Sequence, residues 1–273
     1  MSEPVAVPAP APIPVEHLQF AMEPVHASPD EERAYRRERL AGALRLFGQL
    51  GYEDGVSGHI SARDPELADC FWVNPFGAPF ADIAPQDLIL VNGDGQVVRG
   101  RFHVNQAAFA VHAAVHRARP DTVAVAHTHS VHGRALAALG EPIEPITQES
   151  CAFYEDHALY DAYSGVVVDE DEGRRIAAVL GPHKAVILRN HGLLTVGGSV
   201  DAAAWWFLTM ERACQVQLLA RAAGKPVLIS HRDAVTTRDH LGGDLVAWIN
   251  YQPLWERIAR TYRRHAPPAR PDA

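Results

Sequence analysis

Apolar side chains at Leu40, Ala43, Leu44, Phe47 and Leu50 recur three and four residues apart, the spacing that gathers one face of a helix. Ahead of them, Ser28-Pro29-Asp30-Glu31 reads as a helix start: Ser28 can cap, Pro29 suits the first helical position, and Glu31 completes a capping box. Gly51 marks its end. Between residues 56 and 100 the pattern shortens to β-like pieces, His59-Ile60-Ser61, Phe71-Trp72-Val73, Leu88-Ile89-Leu90-Val91 and Gln96-Val97-Val98. Asn92-Gly93-Asp94-Gly95 separates the last two as a hairpin turn. A helix over about 105–119 stops before Pro120.

From there strand and helix alternate. The apolar run 123–127 predicts a strand and 130–140 a helix; 172–180 is helical, 185–188 a strand, 200–223 a long helix opened by Ser199, and 244–264 a last helix. This rhythm predicts an α/β fold, a central mixed sheet flanked by helices, in one domain over 28–265. Residues 1–27 begin with alternating Pro and Ala, a composition that favours extended polyproline and builds no core. They are expected to form a disordered tail, as are residues 266–273.

Composition narrows the partners. Of 273 residues, 47% are hydrophobic and 21% charged, the balance of an ordinary globular protein. Lys and Arg total 25 against 33 Asp and Glu, and the one short basic run is Arg263-Arg264-His265; without clustered cations, nucleic acid is excluded as a partner. Cys70, Cys151 and Cys214 are odd in number and widely spaced, which argues against a disulfide framework or a thiolate zinc site and fits a reducing cytoplasm. No apolar run reaches the roughly 20 residues of a membrane span, and no cationic-then-apolar leader opens the chain. Neither membrane association nor export is expected.

The 15 histidines change this bland picture, because they cluster at His127, His129, His132 and at His112, His116. Residues two apart in a strand point the same way, so His127 and His129 can aim at one point at a strand end while Thr128 points away. A third ligand must come from elsewhere, and His191 sits where the strand 185–188 breaks into Arg189-Asn190-His191-Gly192. Gly192 is expected to permit the sharp turn there. Three neutral imidazoles suit zinc, iron, cobalt or nickel and leave coordination positions open for substrate. His112 and His116, four apart on one helical face, are read as partly buried against the sheet.

The motifs Ser57-Gly58-His59-Ile60-Ser61-Ala62-Arg63, Val73-Asn74-Pro75-Phe76-Gly77, Arg119-Pro120-Asp121, Ala126-His127-Thr128-His129-Ser130 and 188–197 (L-R-N-H-G-L-L-T-V-G) resemble, in that order, the class II aldolase and adducin-head family. The resemblance implies a three-layer α/β/α fold with a largely antiparallel mixed sheet. It also implies metal ligation by His127, His129 and His191, with one divalent ion per subunit, zinc first and iron(II) or manganese as alternatives. A homotetramer with sites at subunit contacts, acting on a small molecule, is implied as well.

Two departures from that family reshape the chemistry. Where its sugar-phosphate aldolases carry an acid/base Glu, this chain has Ala108, and the positions aligned with their phosphate cradle are Val56, His59, Gln106 and Ala107. Ser57, Gly58 and Gly77 survive and, with His59, are the substrate-binding candidates. Glu149, Tyr154 and His157, in a segment dense in ionisable and aromatic groups, are candidates to replace the missing base. The expected activity is a metal-dependent lyase on an unphosphorylated hydroxy- or oxo-acid. The F-Y-E-D-H and A-W-W segments also resemble the decarboxylase/oxygenase-like branch of aminocoumarin biosynthesis, which implies iron(II) and an aryl-pyruvate. A third reading is a non-catalytic, adducin-like assembly module.

Overall fold

The computed structural model describes residues 17–165 and 170–265. Its first helix, α1 (Pro29–Gln49), starts as the sequence predicts: the Ser28 hydroxyl accepts the Glu31 amide at 3.2 Å. The Glu31 carboxylate reaches back one residue further than a capping box requires, to the Ala27 amide at 2.9 Å. Leu40, Leu44 and Phe47 are fully buried.

Eight strands make one sheet: β1 (His59–Arg63), β2 (Cys70–Val73), β3 (Ile89–Asn92), β4 (Val97–Arg99), β5 (Ala124–Thr128), β6 (Ala158–Tyr160), β7 (Ala185–Leu188) and β8 (Gly192–Gly197). Their order is β4-β3-β2-β1-β5-β8-β7-β6. Every neighbouring pair is antiparallel except β6 and β7. The expected mixed, largely antiparallel sheet is therefore present.

Side-chain alternation along these strands separates two cores. Ile60, Ala124, Ala126, Ile187 and Leu193 pack with α1, α3 (Val131–Leu139), α5 (Val200–Ala223) and α7 (Asp244–His265). Val125, Val186, Leu188, Leu194 and Val196 pack on the other face with α2 (Gln106–Ala118) and α4 (Glu170–Leu180). This gives the three layers. It also decides where the histidines go, because His59, Ser61 and His127 alternate with Ile60 and Ala126 and so face the α2 side. His112 and His116 on α2 are 1% and 2% exposed, fully rather than partly buried.

Three elements differ from the sequence reading. β8 continues directly from the turn at His191, and its six residues are all buried, so it shows no polar alternation. β6 has three residues, too few for a pattern. α6 (His231–Leu241) is mostly polar, with Ala234 its one buried residue. Residues 1–16 and 266–273, both assigned to tails, lie outside the described residues; from residue 17 the chain runs against the domain, with Phe20 edge-on to Trp248 and His26 beside Tyr35. No described helix is long and apolar enough to cross a membrane.

Candidate metal centre

The site forms where β1, β5 and the β7–β8 hairpin end together. His127 is the penultimate residue of β5, paired across the sheet with His59 of β1 and with Leu194 of β8. His129 follows the last strand residue, so strand alternation returns it to the side of His127, while Thr128 between them is fully buried. His191 is carried by the tight β7–β8 connection, where its amide donates to the Leu188 carbonyl at 2.9 Å.

That connection corrects the expectation for Gly192. The left-handed residue is Asn190, at φ 58°, a conformation asparagine tolerates better than most side chains. Gly192 is the first residue of β8, and its role is close approach: a Cβ there would lie 3.1 Å from the Thr128 carbonyl oxygen and 3.6 Å from His127 Cε1.

The three imidazoles converge. A ring nitrogen from each lies within 4.8 Å of those of the others, and the Nε2 atoms of His129 and His191 are 3.1 Å apart. Tetrahedral zinc with Zn–N bonds near 2.0–2.1 Å needs ligand nitrogens roughly 3.3 Å apart, so this pair already stands at coordination spacing. His127 Nδ1 donates to the Leu193 carbonyl at 2.7 Å, which fixes the ring and leaves its Nε2 as the nitrogen available to a metal, the usual orientation of a metal histidine. Burial, and then the neighbouring histidines, hold His127 well below its ordinary pKa and His191 down to about 4; burial with nearby Arg134 lowers His129. All three offer lone pairs at neutral pH, the form a divalent ion requires.

A buried carboxylate secures the chain beside this cluster. Glu211 of α5 is 3% exposed. It accepts the Ser130 hydroxyl at 2.5 Å, the His132 and Gly133 amides at 3.0 and 2.6 Å, and His132 Nδ1 at 2.9 Å. It thus caps the start of α3 immediately after His129.

The imidazoles face a cleft of about 470 Å³ whose walls include Val56, Phe76, Val111, Tyr163 and Leu188. Among the described residues Arg134 is its one Lys or Arg, and none of them that lines it is Asp or Glu. Arg134 pairs at 2.7 Å with exposed Asp54.

Of the substrate-binding candidates, Ser57, Gly58 and His59 line this cleft. Gly58 is at φ 97°, with Thr128 packed where a Cβ would project. Gly77, at φ 77°, adjoins the cleft residue Phe76 without lining the cleft itself. Glu149, Tyr154 and His157 are not brought to the cleft of their own chain, because Ala152 and Phe153 anchor that segment in the core on the α5 side. Glu149 is exposed, and the Tyr154 hydroxyl meets His231 Nδ1 at 3.0 Å. His157 uses both ring nitrogens on backbone, donating to Phe153 and accepting from Ile143.

What sequence reasoning missed is a buried polar row behind the cleft. His59 Nδ1 meets His112 Nε2 at 2.8 Å, and the Ser61 hydroxyl sits between His112 Nδ1 at 2.6 Å and His116 Nε2 at 2.8 Å. The i, i+4 histidines were visible; the sheet register that brings Ser61 between them was not.

Three histidines at one corner of a largely antiparallel sheet, sandwiched between helical layers, define a protein of the class II aldolase type. The family model "Class II Aldolase and Adducin N-terminal domain" matches residues 38–218, and the chain belongs to that family. It is 50% identical to decarboxylase NovR of Streptomyces niveus, over 87% of this chain and 88% of the relative. It is equally 50% identical to the 4-hydroxy-3-prenylphenylpyruvate oxygenase/4-hydroxy-3-prenylbenzoate synthase of Streptomyces roseochromogenus subsp. oscitans, over 87% and 86%. Among solved structures, L-fuculose 1-phosphate aldolase from Glaciozyma antarctica PI12 superposes with a TM-score of 0.83 at 42% identity, covering 89% of this chain and 95% of that one.

Proposed function

We propose that this chain is a metal-dependent enzyme that removes the carboxyl group of a small, unphosphorylated aryl 2-oxo acid. The observation that carries the reading is the cleft: among the described residues, a three-histidine cluster opens on aromatic and apolar walls with one cation, Arg134, and no carboxylate. An aryl group suits Phe76, Tyr163 and Leu188, and a carboxylate suits Arg134 as a charge-assisted partner. Of the two relatives at 50% identity, the one described as a decarboxylase supports the reaction type and the one described as a 4-hydroxy-3-prenylphenylpyruvate oxygenase supports the substrate class.

His127, His129 and His191 would hold the ion. Bound there, a divalent metal supplies Lewis acidity to neighbouring substrate oxygens, or, as iron(II), reactivity towards dioxygen as co-substrate. The chain's own residues do the rest. Leu193 keeps His127 in its ligating tautomer, Glu211 holds the peptide that carries His129, and the apolar walls exclude water from the reacting carbons.

A second reading, a zinc- or manganese-dependent lyase on a hydroxy- or oxo-acid, is favoured by the likeness to the fuculose phosphate aldolase. Ala108 and the altered phosphate cradle count against sugar-phosphate cleavage. A purely structural, adducin-like role is disfavoured by the intact histidine cluster. The unit 28–265 is proposed to act as a cytoplasmic homotetramer, with Val131 and Leu139 on α3 and Val216 and Leu219 on α5 as exposed apolar contacts. Glu149, Tyr154 and His157 stay in the proposal through such a contact, where they would serve a neighbouring subunit's cleft.

The test is metal analysis of the purified protein together with phenylpyruvate turnover and oxygen uptake. Iron with oxygen-dependent loss of carbon dioxide supports the oxidative reading, and zinc or manganese with oxygen-independent cleavage supports the lyase. Absence of bound or bindable metal sinks both.

A further inference from the structure

The row His59–His112–Ser61–His116 lies beyond the metal cluster and is fully inside the protein: the four residues are 6%, 1%, 0% and 2% exposed. Burial lowers all three imidazole pKa values, that of His116 to about 3, so the rings are neutral and each carries one proton on one of two nitrogens. The Ser61 hydroxyl has a single proton and two imidazole neighbours, so it must donate to one and accept from the other. The row therefore has only two possible polarities, and its far end selects between them.

At that end His116 Nδ1 is buried with no partner in hydrogen-bond geometry, and the backbone group that raises the ring's proton affinity is that of Thr122, whose carbonyl also accepts from Arg63 Nε at 3.2 Å. A carbonyl tolerates a facing N–H; facing a bare nitrogen, it would leave two buried acceptors opposed, which is costly. With the proton on His116 Nδ1, the bare Nε2 accepts from Ser61. Ser61 Oγ then accepts from His112 Nδ1–H, and the bare His112 Nε2 accepts from His59 Nδ1–H. The ring nitrogen left to His59 is Nε2, and His59 lines the cleft, its ring centroid 5.2 Å from that of His127.

We propose that this buried row fixes His59 with its proton on Nδ1, so that Nε2 meets the cleft as a hydrogen-bond acceptor and selects substrates bearing a hydroxyl beside the three metal histidines. No proton is gained or lost; the row sets a direction. An acceptor at this point welcomes the hydroxyl of a hydroxy-acid or of an enolised oxo-acid. It opposes a phosphate or carboxylate oxygen, itself an acceptor. His112, Ser61 and His116 are positioning residues that act through His59.

The substrate half of this inference rests on the proposed function; the tautomer half does not, and the experiment separates them. Zinc-loaded full-length protein labelled with 15N-histidine is examined by long-range 1H–15N correlation, with His59 assigned by its absence in His59→Gln. The expected wild-type spectrum shows His59 and His112 protonated on Nδ1, Ser61→Thr keeps that pattern, and Ser61→Ala gives His59 a mixture of tautomers. A wild-type His59 protonated on Nε2, or a His59 Nε2 bonded to zinc, overturns the proposal without recourse to any variant. An unchanged His59 tautomer in folded Ser61→Ala does so too. In parallel, calorimetry with phenylpyruvate is expected to show binding weakened about tenfold or more in Ser61→Ala and restored in Ser61→Thr. Equal affinity in all three proteins overturns the hydroxyl selection, whereas binding without decarboxylation counts against the proposed function alone.

Discussion

Replacing Glu211 by glutamine tests whether the proposed metal centre depends on a residue outside the three-histidine cluster. In the native structure its two carboxylate oxygens receive four donors: Ser130 Oγ and the Gly133 amide on one, the His132 amide and His132 Nδ1 on the other. Glutamine keeps the shape but offers one acceptor oxygen, so its NH2 group faces a pair of donors, at least one of them a backbone amide at the start of α3. Losing two hydrogen bonds to a charged group, partly offset by relaxation, costs about 2–3 kcal/mol. For a domain of this size that lowers Tm by roughly 5–10 °C, measured on metal-free protein at fixed concentration because oligomerisation shifts Tm. The start of α3 adjoins His129, so zinc affinity, read by competition with a chromophoric chelator, is expected to fall about 10- to 100-fold, as when other outer-shell partners are removed. A Glu211→Gln protein with parental Tm and parental zinc affinity would refute the assignment of Glu211 as the support for His129. A lowered Tm with unchanged affinity would show that α3 is capped by this carboxylate but that the ligand is held by something else.

Three further outcomes are expected. His127→Ala loses its bound metal while the far-ultraviolet circular dichroism and the cooperative melt persist, since the ring sits at a strand end; metal content at the parental level, by mass spectrometry, refutes the ligand assignment. His116 is held neutral down to about pH 3 in the fold but takes up a proton near pH 6.5 once unfolded. The unfolded state therefore binds more protons between those values, and stability falls as pH drops through 6.5, by about 3 kcal/mol at pH 4 from this residue alone. Urea midpoints across pH 4–7 should flatten in His116→Gln, and parallel slopes for the two proteins would contradict the burial argument. Arg134→Gln should raise KM for phenylpyruvate about tenfold with kcat little changed, a modest effect because the guanidinium is 44% exposed and already paired with Asp54; an unaltered KM removes Arg134 from carboxylate recognition.

Local chemistry made much of the fold legible. The Ser28 cap, the Asn92–Gly95 turn and the limits of α5 depend on residues close in sequence, and the structure places them where the pattern does. The elements that escaped, β6, β8 and α6, carry no periodic signal of their own. β8 is buried on both faces, and β6 is a three-residue edge strand defined by its parallel pairing with β7. In the site, the H-x-H spacing and the N-H-G turn were enough to nominate His127, His129 and His191 as a cluster, because strand periodicity and turn chemistry are local rules.

What the sequence could not decide was which distant residues stand behind that cluster. Glu149, Tyr154 and His157 look more reactive than Ser61, His112 and Glu211 when read along the chain. Yet Ala152 and Phe153 anchor the first group's segment in the α5-side core, while the β1–β5 register, which pairs His59 with His127, delivers Ser61 to α2. Likewise Gly192 seemed the turn residue until the hairpin placed Asn190 in the left-handed conformation and used the glycine for contact with Thr128. The amino-acid sequence by itself determined the candidate ligand types and their local presentation. The tertiary structure decided their hydrogen-bonded support, because that support is built from residues brought together by sheet register and helix packing, across separations that no local rule spans.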